Sequence, residues 1–259
     1  MTSHFVAPTA RPLYGSVDEL PQLTVASEDL AAANVYSFRN ADTRMRPFKL
    51  LRTQVAKRCI DEGLKLIGVT SAAPNTGKSF VASNLAAALS RIADIDVCLI
   101  DLDMLRPALA PRFGLTEGLG IHDYLSGEAS EIGQVARRVN DERMVLIPGF
   151  RRDVATGELL TSARGDQLFE GLRALPSSTV VIVDMPPIFA DDDAVLISHR
   201  IDAFIVVVED GRTTRKQVRD TIRMLSPTPV LGTVLNRYRS QLFNDEYGYG
   251  MSYGYGAYY

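Results

Sequence analysis

Uninterrupted apolar runs alternate with longer amphipathic stretches along most of the chain. The runs predict strands at residues 66–71, 96–103, 144–149, 179–184, 203–210 and 229–236. The amphipathic stretches predict helices at residues 47–63, 79–92, 157–175, 191–199 and 213–225. Strands that are apolar throughout, with helices between them, are typical of a mostly parallel sheet covered by helices on both faces. The predicted class is therefore α/β, and ligands of such sheets bind at the carboxyl ends of the strands.

The two ends of the chain lack this periodicity. Residues 1–44 mix several prolines with Ala, Ser, Thr and scattered charges, which is typical of a flexible arm. A helical pattern starts at Pro47 and stops at Gly63, and it predicts a first long helix packed on the core. The predicted organisation is a flexible arm at 1–44, one folded domain at 45–240 and a disordered tail at 241–259.

Composition and charge narrow the possible partners. The formal net charge is -3 and the pI is 5.7, so the chain has no basic footprint and nucleic acid is not expected as a partner. No run approaches 18 apolar residues and the N-terminus lacks a signal pattern, so we expect a cytoplasmic protein.

Cys59 and Cys98 fall on apolar positions of a predicted helix and strand, which predicts buried, reduced thiols.

The stretch LIGVTSAAPNTGKS, residues 66–79, has the order strand, turn-forming loop and helix start that a phosphate-binding loop requires. In such a loop, backbone N–H groups face an anion, Lys78 reaches the β- and γ-phosphates, and Ser79 ligates Mg²⁺. Ala72 replaces the first glycine of the usual pattern, so the context of the loop carries the prediction. The alternative is a surface turn that happens to contain GKS. The predicted nucleotide-binding residues of this stretch are Pro74, Asn75, Thr76, Gly77, Lys78, Ser79 and Phe80.

Three of the predicted strands end in carboxylates, and two of those strands supply three candidate aspartates. Asp101 and Asp103 close one of them, and Asp184 closes another. In a parallel sheet all three lie near the phosphate loop, and an apolar strand that ends in Asp is the Walker B arrangement, in which a carboxylate holds the coordination shell of Mg²⁺. The alternative is that each Asp caps the helix that follows it.

These motifs resemble those of the bacterial tyrosine kinases, the cytoplasmic autokinases that accompany capsule and exopolysaccharide export. The resemblance covers residues 45–259 and depends on SAAPNTGKS as Walker A, LIDLDMLRP as Walker A′, VVIVDMPP as Walker B and a tyrosine-rich tail. Each nucleotide motif also suits the partition and cell-division-site ATPases, from which the tail separates this chain. The resemblance implies a P-loop fold of the partition-ATPase type, with ATP and Mg²⁺ as cofactors.

The resemblance also implies roles for single residues. Lys78 would act on the phosphates, Asp101 and Asp184 would join Ser79 in holding Mg²⁺, and Asp103 or Asp101 would orient or deprotonate the incoming tyrosine hydroxyl. Asn236, at the end of the last predicted strand, would contact the adenine base; a simple chain-turning role is the alternative.

The Walker A′ motif departs from the family's D-x-D-x-R-x-P pattern, because Leu105 stands at the position of its arginine. A subgroup with the pattern D-x-D-x-x-R-P implies that Arg106 replaces it as a catalytic residue. Otherwise the chain is a weak kinase or a nucleotide-binding pseudokinase.

The tail carries six tyrosines interleaved with glycine: Tyr247, Tyr249, Tyr253, Tyr255, Tyr258 and Tyr259. This composition forms no core and leaves each phenol exposed, so we interpret the six as autophosphorylation sites. An adhesive or ring-stacking segment is the alternative.

Family resemblance implies a separate membrane partner of the chain-length-determinant type that activates the kinase and brings it to the inner membrane. It also implies a homo-oligomer with phosphorylation between subunits. The family's E-x-x-R-x-x-R ring motif reads Arg46, Lys49 and Arg52 here, so a ring contact and a basic solvated face both remain open. The rival functions are a partition-type ATPase switch and a non-catalytic nucleotide-dependent scaffold.

Overall fold

A computed structural model describes residues 11–39, 42–152, 156–190 and 192–238 of the 259-residue chain. The described residues form one eight-stranded sheet. Its strands in chain order are β1 (Gln22–Leu23), β2 (Leu66–Ser71), β3 (Asp96–Asp101), β4 (Arg137–Val139), β5 (Met144–Ile147), β6 (Thr179–Asp184), β7 (Ala203–Glu209) and β8 (Val230–Asn236). Their order across the sheet is β1-β4-β5-β3-β6-β2-β7-β8.

The strand pairing confirms the predicted fold class. Every neighbouring pair of strands is parallel except β4 with β5, which is antiparallel. The phosphate-loop strand β2 lies between β6 and β7, and all six of its residues are buried. Asp101 of β3 and Asp184 of β6 are register partners, so both carboxylates stand at the same edge of the sheet.

Helices connect the parallel strands, because a parallel pair needs a long crossover. The helices are α1 (Ser27–Ala32), α2 (Arg46–Glu62), α3 (Lys78–Leu89), α4 (Leu109–Arg112), α5 (Ile121–Ser126), α6 (Thr156–Leu160), α7 (Ala163–Arg173), α8 (Asp193–Ser198) and α9 (Arg215–Leu225). Short 3-10 turns lie at Val17–Glu19, Thr43–Met45 and Ile132–Gln134. Helix α2 is the predicted first long helix. It has Pro47 in its first turn and ends at Gly63, whose φ of 66° is left-handed.

Both faces of the sheet carry an apolar core, as the uninterrupted apolar strands require. In β3, Cys98 and Ile100 pack into one core while Val97 and Leu99 pack into the other. Cys59 and Cys98 are both buried free thiols, as predicted.

The N-terminal segment differs from the prediction. Residues 11–39 pack on the domain, so a flexible arm is wrong for this part of 1–44. Strand β1 pairs with β4, Leu20 is buried in one core, and Leu30 and Val35 are buried in the other. The buried side chains come from separate short elements, and elements of two to six residues are too short to produce a periodic pattern. Residues 1–10 lie outside the described part.

Two further differences are local. The helix predicted at 157–175 is interrupted, because the Ser162 side chain caps a new helix by accepting a hydrogen bond from the Gly165 N–H at 3.2 Å. The short strand β4 and the helices α4 and α5 have no counterpart in the prediction.

In the part of the chain that the structure describes, no helix is long and apolar enough to cross a membrane. The tyrosine cluster at 247–259 lies outside the described residues.

Candidate nucleotide-binding site

The loop between β2 and α3 has the backbone geometry of an anion-binding turn. Asn75 and Gly77 have positive φ angles of 62° and 95°. Gly77 is the N-cap of α3, and Lys78 and Ser79 are the first two residues of that 12-residue helix. The free N–H groups and the positive end of the helix therefore lie where a phosphate would bind.

A cavity of 240 Å³ lies against this loop. It brings together predicted residues that are far apart in the sequence, because β2 and β3 end at the same edge of the sheet. Its lining comprises Pro74, Asn75, Gly77, Lys78, Ser79, Asp103, Arg106, Ala108, Arg112, Pro187 and Arg237. Leu105 is absent from this lining and 39% exposed, whereas Arg106 lines the cavity. That arrangement favours Arg106 as the counterpart of the family's Walker A′ arginine.

Lys78 and Asp103 form an ion pair at the base of the site. The Lys78 Nζ lies 3.4 Å from the Asp103 Oδ2, and both side chains are buried. Burial raises the pKa of Asp103, and the Lys78 charge opposes the rise. The pair holds the lysine ammonium beside the loop.

Asp184 has the most unusual environment of the three aspartates. It is fully buried, and neither carboxylate oxygen has a hydrogen-bond partner among the described residues. Burial raises the pKa of Asp184 to about 6, while the Lys78 charge and the Ser79 hydroxyl oppose the rise. The Ser79 hydroxyl lies close enough to lower this pKa, although it forms no hydrogen bond of ordinary geometry with either oxygen. Burying a carboxylate without a hydrogen-bond partner is costly, and a cation that contacts its oxygens would offset that cost.

The oxygen atoms of Ser79 and Asp184 fit Mg²⁺. It takes oxygen ligands, keeps several waters, and in nucleotide sites uses one or two protein groups together with phosphate oxygens. The buried Ser79 hydroxyl and Asp184 carboxylate supply groups of that kind beside the phosphate loop. No group of three or more His, Cys, Asp or Glu side chains suited to a metal occurs among the described residues.

Asp101 has a different role from Asp184. Its Oδ2 accepts hydrogen bonds from the Ala108 and Leu109 N–H groups, each at 3.0 Å, and its Oδ1 accepts one from Asp103 at 3.2 Å. This carboxylate therefore caps α4 and shapes the loop that carries Asp103, which is the capping alternative considered from the sequence. Burial and the neighbouring Asp184 charge raise the pKa of Asp101, and these N–H groups oppose the rise.

Three predicted nucleotide-binding residues, Thr76, Phe80 and Asn236, stand outside the lining of the phosphate cavity. Phe80 packs edge-on against Tyr36 and Phe48, with ring centroids 6.2 and 5.5 Å away. The Asn236 amide donates to the Thr76 carbonyl at 2.8 Å, which ties the end of β8 to the loop. Phe80 and Asn236 both line a neighbouring cavity of 350 Å³ at the N-terminal end of α2. Thr76 is buried, and its hydroxyl has no partner within the described residues.

Arg112 lines the phosphate cavity, although it was not among the site residues predicted from the sequence. Burial lowers the pKa of this guanidinium, and the Asp184 charge opposes that effect. Arg112 follows the D-x-D-x-x-R-P stretch by five residues. This closeness to the Walker A′ motif is the feature of the sequence from which its place in the site could have been predicted.

The fold and the loop define a P-loop nucleotide-binding domain. Residues 67–248 match the family model described as the CobQ/CobB/MinD/ParA nucleotide binding domain. The chain belongs to this family and, within it, to the bacterial tyrosine kinases.

Three relatives illustrate the relationship. EpsB of Ralstonia solanacearum is 32% identical over 222 residues, which are 82% of this chain and 28% of EpsB. Tyrosine-protein kinase YwqD of Bacillus subtilis is 28% identical over 78% of this chain and 84% of YwqD. The kinase domain of the Escherichia coli tyrosine kinase ETK superposes with a TM-score of 0.72 and 26% identity, covering 86% of this chain and 85% of that domain. This chain thus spans little more than a quarter of the length of EpsB.

Proposed function

We propose that the chain is an ATP- and Mg²⁺-dependent protein tyrosine kinase that phosphorylates its own C-terminal tyrosines. The observation that carries the proposal is the buried Asp184 carboxylate near Lys78 and Ser79 at the phosphate loop, which has no hydrogen-bond partner among the described residues. Relatives named as tyrosine-protein kinases support this reaction in preference to ATP hydrolysis alone.

The residues divide the work of phosphoryl transfer, which depends mainly on positioning and charge neutralisation. Ser79 and Asp184 would hold Mg²⁺, which when bound neutralises phosphate charge. Lys78 would hold the β- and γ-phosphates, and Arg106 would add a positive charge at the mouth of the cavity. Asp101 keeps the following loop in place through its three N–H bonds.

Asp103 is the residue that we assign to the tyrosine hydroxyl. Its carboxylate lines the cavity, and its raised pKa makes it a better proton acceptor than an exposed aspartate. Its contact with Lys78 places the acceptor group next to the phosphate-binding cation.

The position of β8 supports the tail as substrate. This strand is parallel to β7 and ends at the carboxyl edge of the sheet, and Arg237, the residue after it, lines the phosphate cavity. The 23 residues after Asn236 span about 75 Å when extended, so they reach their own site or that of a neighbouring subunit. The six tyrosines lie outside the described residues and remain predictions, as does the contact of Asn236 with adenine.

Family resemblance alone supports the partners. We propose a chain-length-determinant-type membrane activator that brings the kinase to the inner membrane, a homo-oligomer that phosphorylates in trans, and a role in exopolysaccharide or capsule export. Of the basic residues on α2, Arg46 and Lys49 are exposed, whereas Arg52 donates to the Ala88 carbonyl at 3.0 Å. Arg52 is thus already engaged within the subunit.

The function is tested by incubating the protein with Mg-ATP, with and without the cytoplasmic part of the activator, and mapping phosphate by mass spectrometry. We expect phosphotyrosine within 247–259 that is lost in Lys78→Met. The matched control is Lys216→Met, which removes an exposed lysine of α9. Phosphate release without labelled protein would replace the proposal with an ATPase switch. Nucleotide binding without either reaction would replace it with a scaffold.

A further inference from the structure

Arg112 is a cation of the phosphate cavity that has no ion-pair partner among the described residues. It is half-buried at the end of α4, and its Nη1 donates to the Ala33 carbonyl at 3.0 Å. Its Nε is buried without a hydrogen-bond partner in the described ranges, and no described carboxylate forms an ion pair with it. A partly buried guanidinium with unfilled donors is suited to bind an anion.

The other three cations of the cavity differ from Arg112. Lys78 is paired with Asp103, and Arg237 donates to the Glu209 carboxylate at 2.9 Å. Arg106 is exposed, so it loses side-chain freedom when it binds a ligand. Arg112 is therefore the cation that is fixed in advance by the backbone and still lacks a direct counter-charge among the described residues.

The segment that holds Arg112 is itself fastened to the phosphate-loop helix. We call residues 33–36 the brace. The Asn84 side chain of α3 donates to the Asn34 carbonyl and accepts from the Tyr36 N–H, both at 2.8 Å, and Val35 is fully buried. Because α3 begins at the loop, these bonds fix the brace, and with it Arg112, relative to the phosphate site.

We propose that Arg112 is a further phosphate-binding residue of this site, held in place by the brace. A guanidinium presents two parallel N–H groups that match two oxygens of a phosphate, so it fixes the phosphate chain as well as neutralising it. This inference rests on the nucleotide-binding part of the proposed function. It also gives the N-terminal segment a part in the nucleotide site.

The test is the affinity for Mg-ATP, measured by calorimetry on the full chain, with pyrophosphate as a competitor. We expect Arg112→Met to weaken the binding of both Mg-ATP and pyrophosphate by about 10- to 100-fold, because it removes a charge-assisted pair of hydrogen bonds. Arg112→Lys keeps the charge without the fork, so we expect its affinity to lie between those of Arg112→Met and the control. The control is Arg137→Met, which removes another half-buried arginine that donates to two backbone carbonyls, away from the cavity.

Folding of each variant is checked by circular dichroism. If Arg112→Met is unfolded, the test uses Arg112→Lys instead. An affinity of Arg112→Lys equal to that of Arg137→Met would then overturn the inference. So would a folded Arg112→Met that binds both ligands as tightly as the control. Lys78→Met distinguishes a failure of the proposed nucleotide-binding function from a failure of the proposed role of Arg112. If the unaltered chain fails to bind Mg-ATP, the proposed function itself fails. If the chain binds and Lys78→Met binds weakly but the Arg112 variants bind normally, only the role of Arg112 fails.

Discussion

A methyl group at Gly77 would disturb the phosphate loop in two ways. The residue has a φ of 95°, a conformation that L-residues rarely adopt. A Cβ atom built there would also lie 2.1 Å from the Asn236 Nδ2, the atom that donates to the Thr76 carbonyl. Gly77→Ala must therefore strain the backbone and push the Asn236 amide away.

The two effects have separable magnitudes. A left-handed alanine costs about 1–2 kcal/mol. Because Nδ2 is the end of a side chain, it can move, and the price of moving it is the hydrogen bond to Thr76, about 0.5–1.5 kcal/mol. Gly211 provides the matched control, since its φ is 70° and a Cβ atom there would meet nothing within 4 Å. We expect Gly211→Ala to show the strain alone and Gly77→Ala to show both losses.

Urea unfolding followed by circular dichroism measures these free energies. A double-mutant cycle adds a second check, because Gly77→Ala should cost less in an Asn236→Ala background, where no amide has to move. Equal costs at Gly77 and Gly211, together with an unchanged cost in the Asn236→Ala background, would refute the reasoning.

Two further predictions concern stability. Burial raises the pKa of Asp202, but hydrogen bonds from the Leu66 and Lys65 N–H groups and from Arg173 outweigh it, so this pKa lies below its ordinary value of 3.8. A carboxyl group whose pKa is lowered in the folded state stabilises the fold fully above its ordinary value of 3.8 and loses that effect as the pH falls through the lowered value. Urea unfolding should therefore find the full deficit of Asp202→Asn at pH 7 and a progressively smaller deficit below pH 3.8; a deficit that does not change with pH would contradict this. Leu30→Ala removes a side chain that is 1% exposed and should lower the free energy of unfolding by about 2–4 kcal/mol, whereas a loss below about 0.5 kcal/mol would mean that the N-terminal segment does not pack.

The central sheet could be predicted because its information is local. Strands β2, β3, β6 and β7 each contain an uninterrupted apolar run of four or more residues, and such runs are stable only when both faces of the sheet are covered. The N-terminal segment could not be predicted in this way. Leu20 and Leu30 are buried on opposite faces of the sheet, and each belongs to a stretch that looks irregular until the sheet is assembled.

The sequence by itself determined the elements and the chemistry of the site: a strand, a Gly-Lys-Ser loop and helix, and aspartates at the ends of two strands. These features depend on neighbouring residues, so the local pattern contains them. Only the tertiary structure determines which of two similar aspartates, Asp101 or Asp184, forms hydrogen bonds with the backbone. Asp101 accepts three hydrogen bonds from backbone N–H groups, whereas Asp184 has no hydrogen-bond partner in the described part of the chain, although both close apolar strands in the same register. The position of Arg112 likewise depends on the Ala33 carbonyl, 79 residues away in sequence. Hydrogen-bond saturation and charge pairing are set by contacts between distant segments, and a linear pattern does not record them.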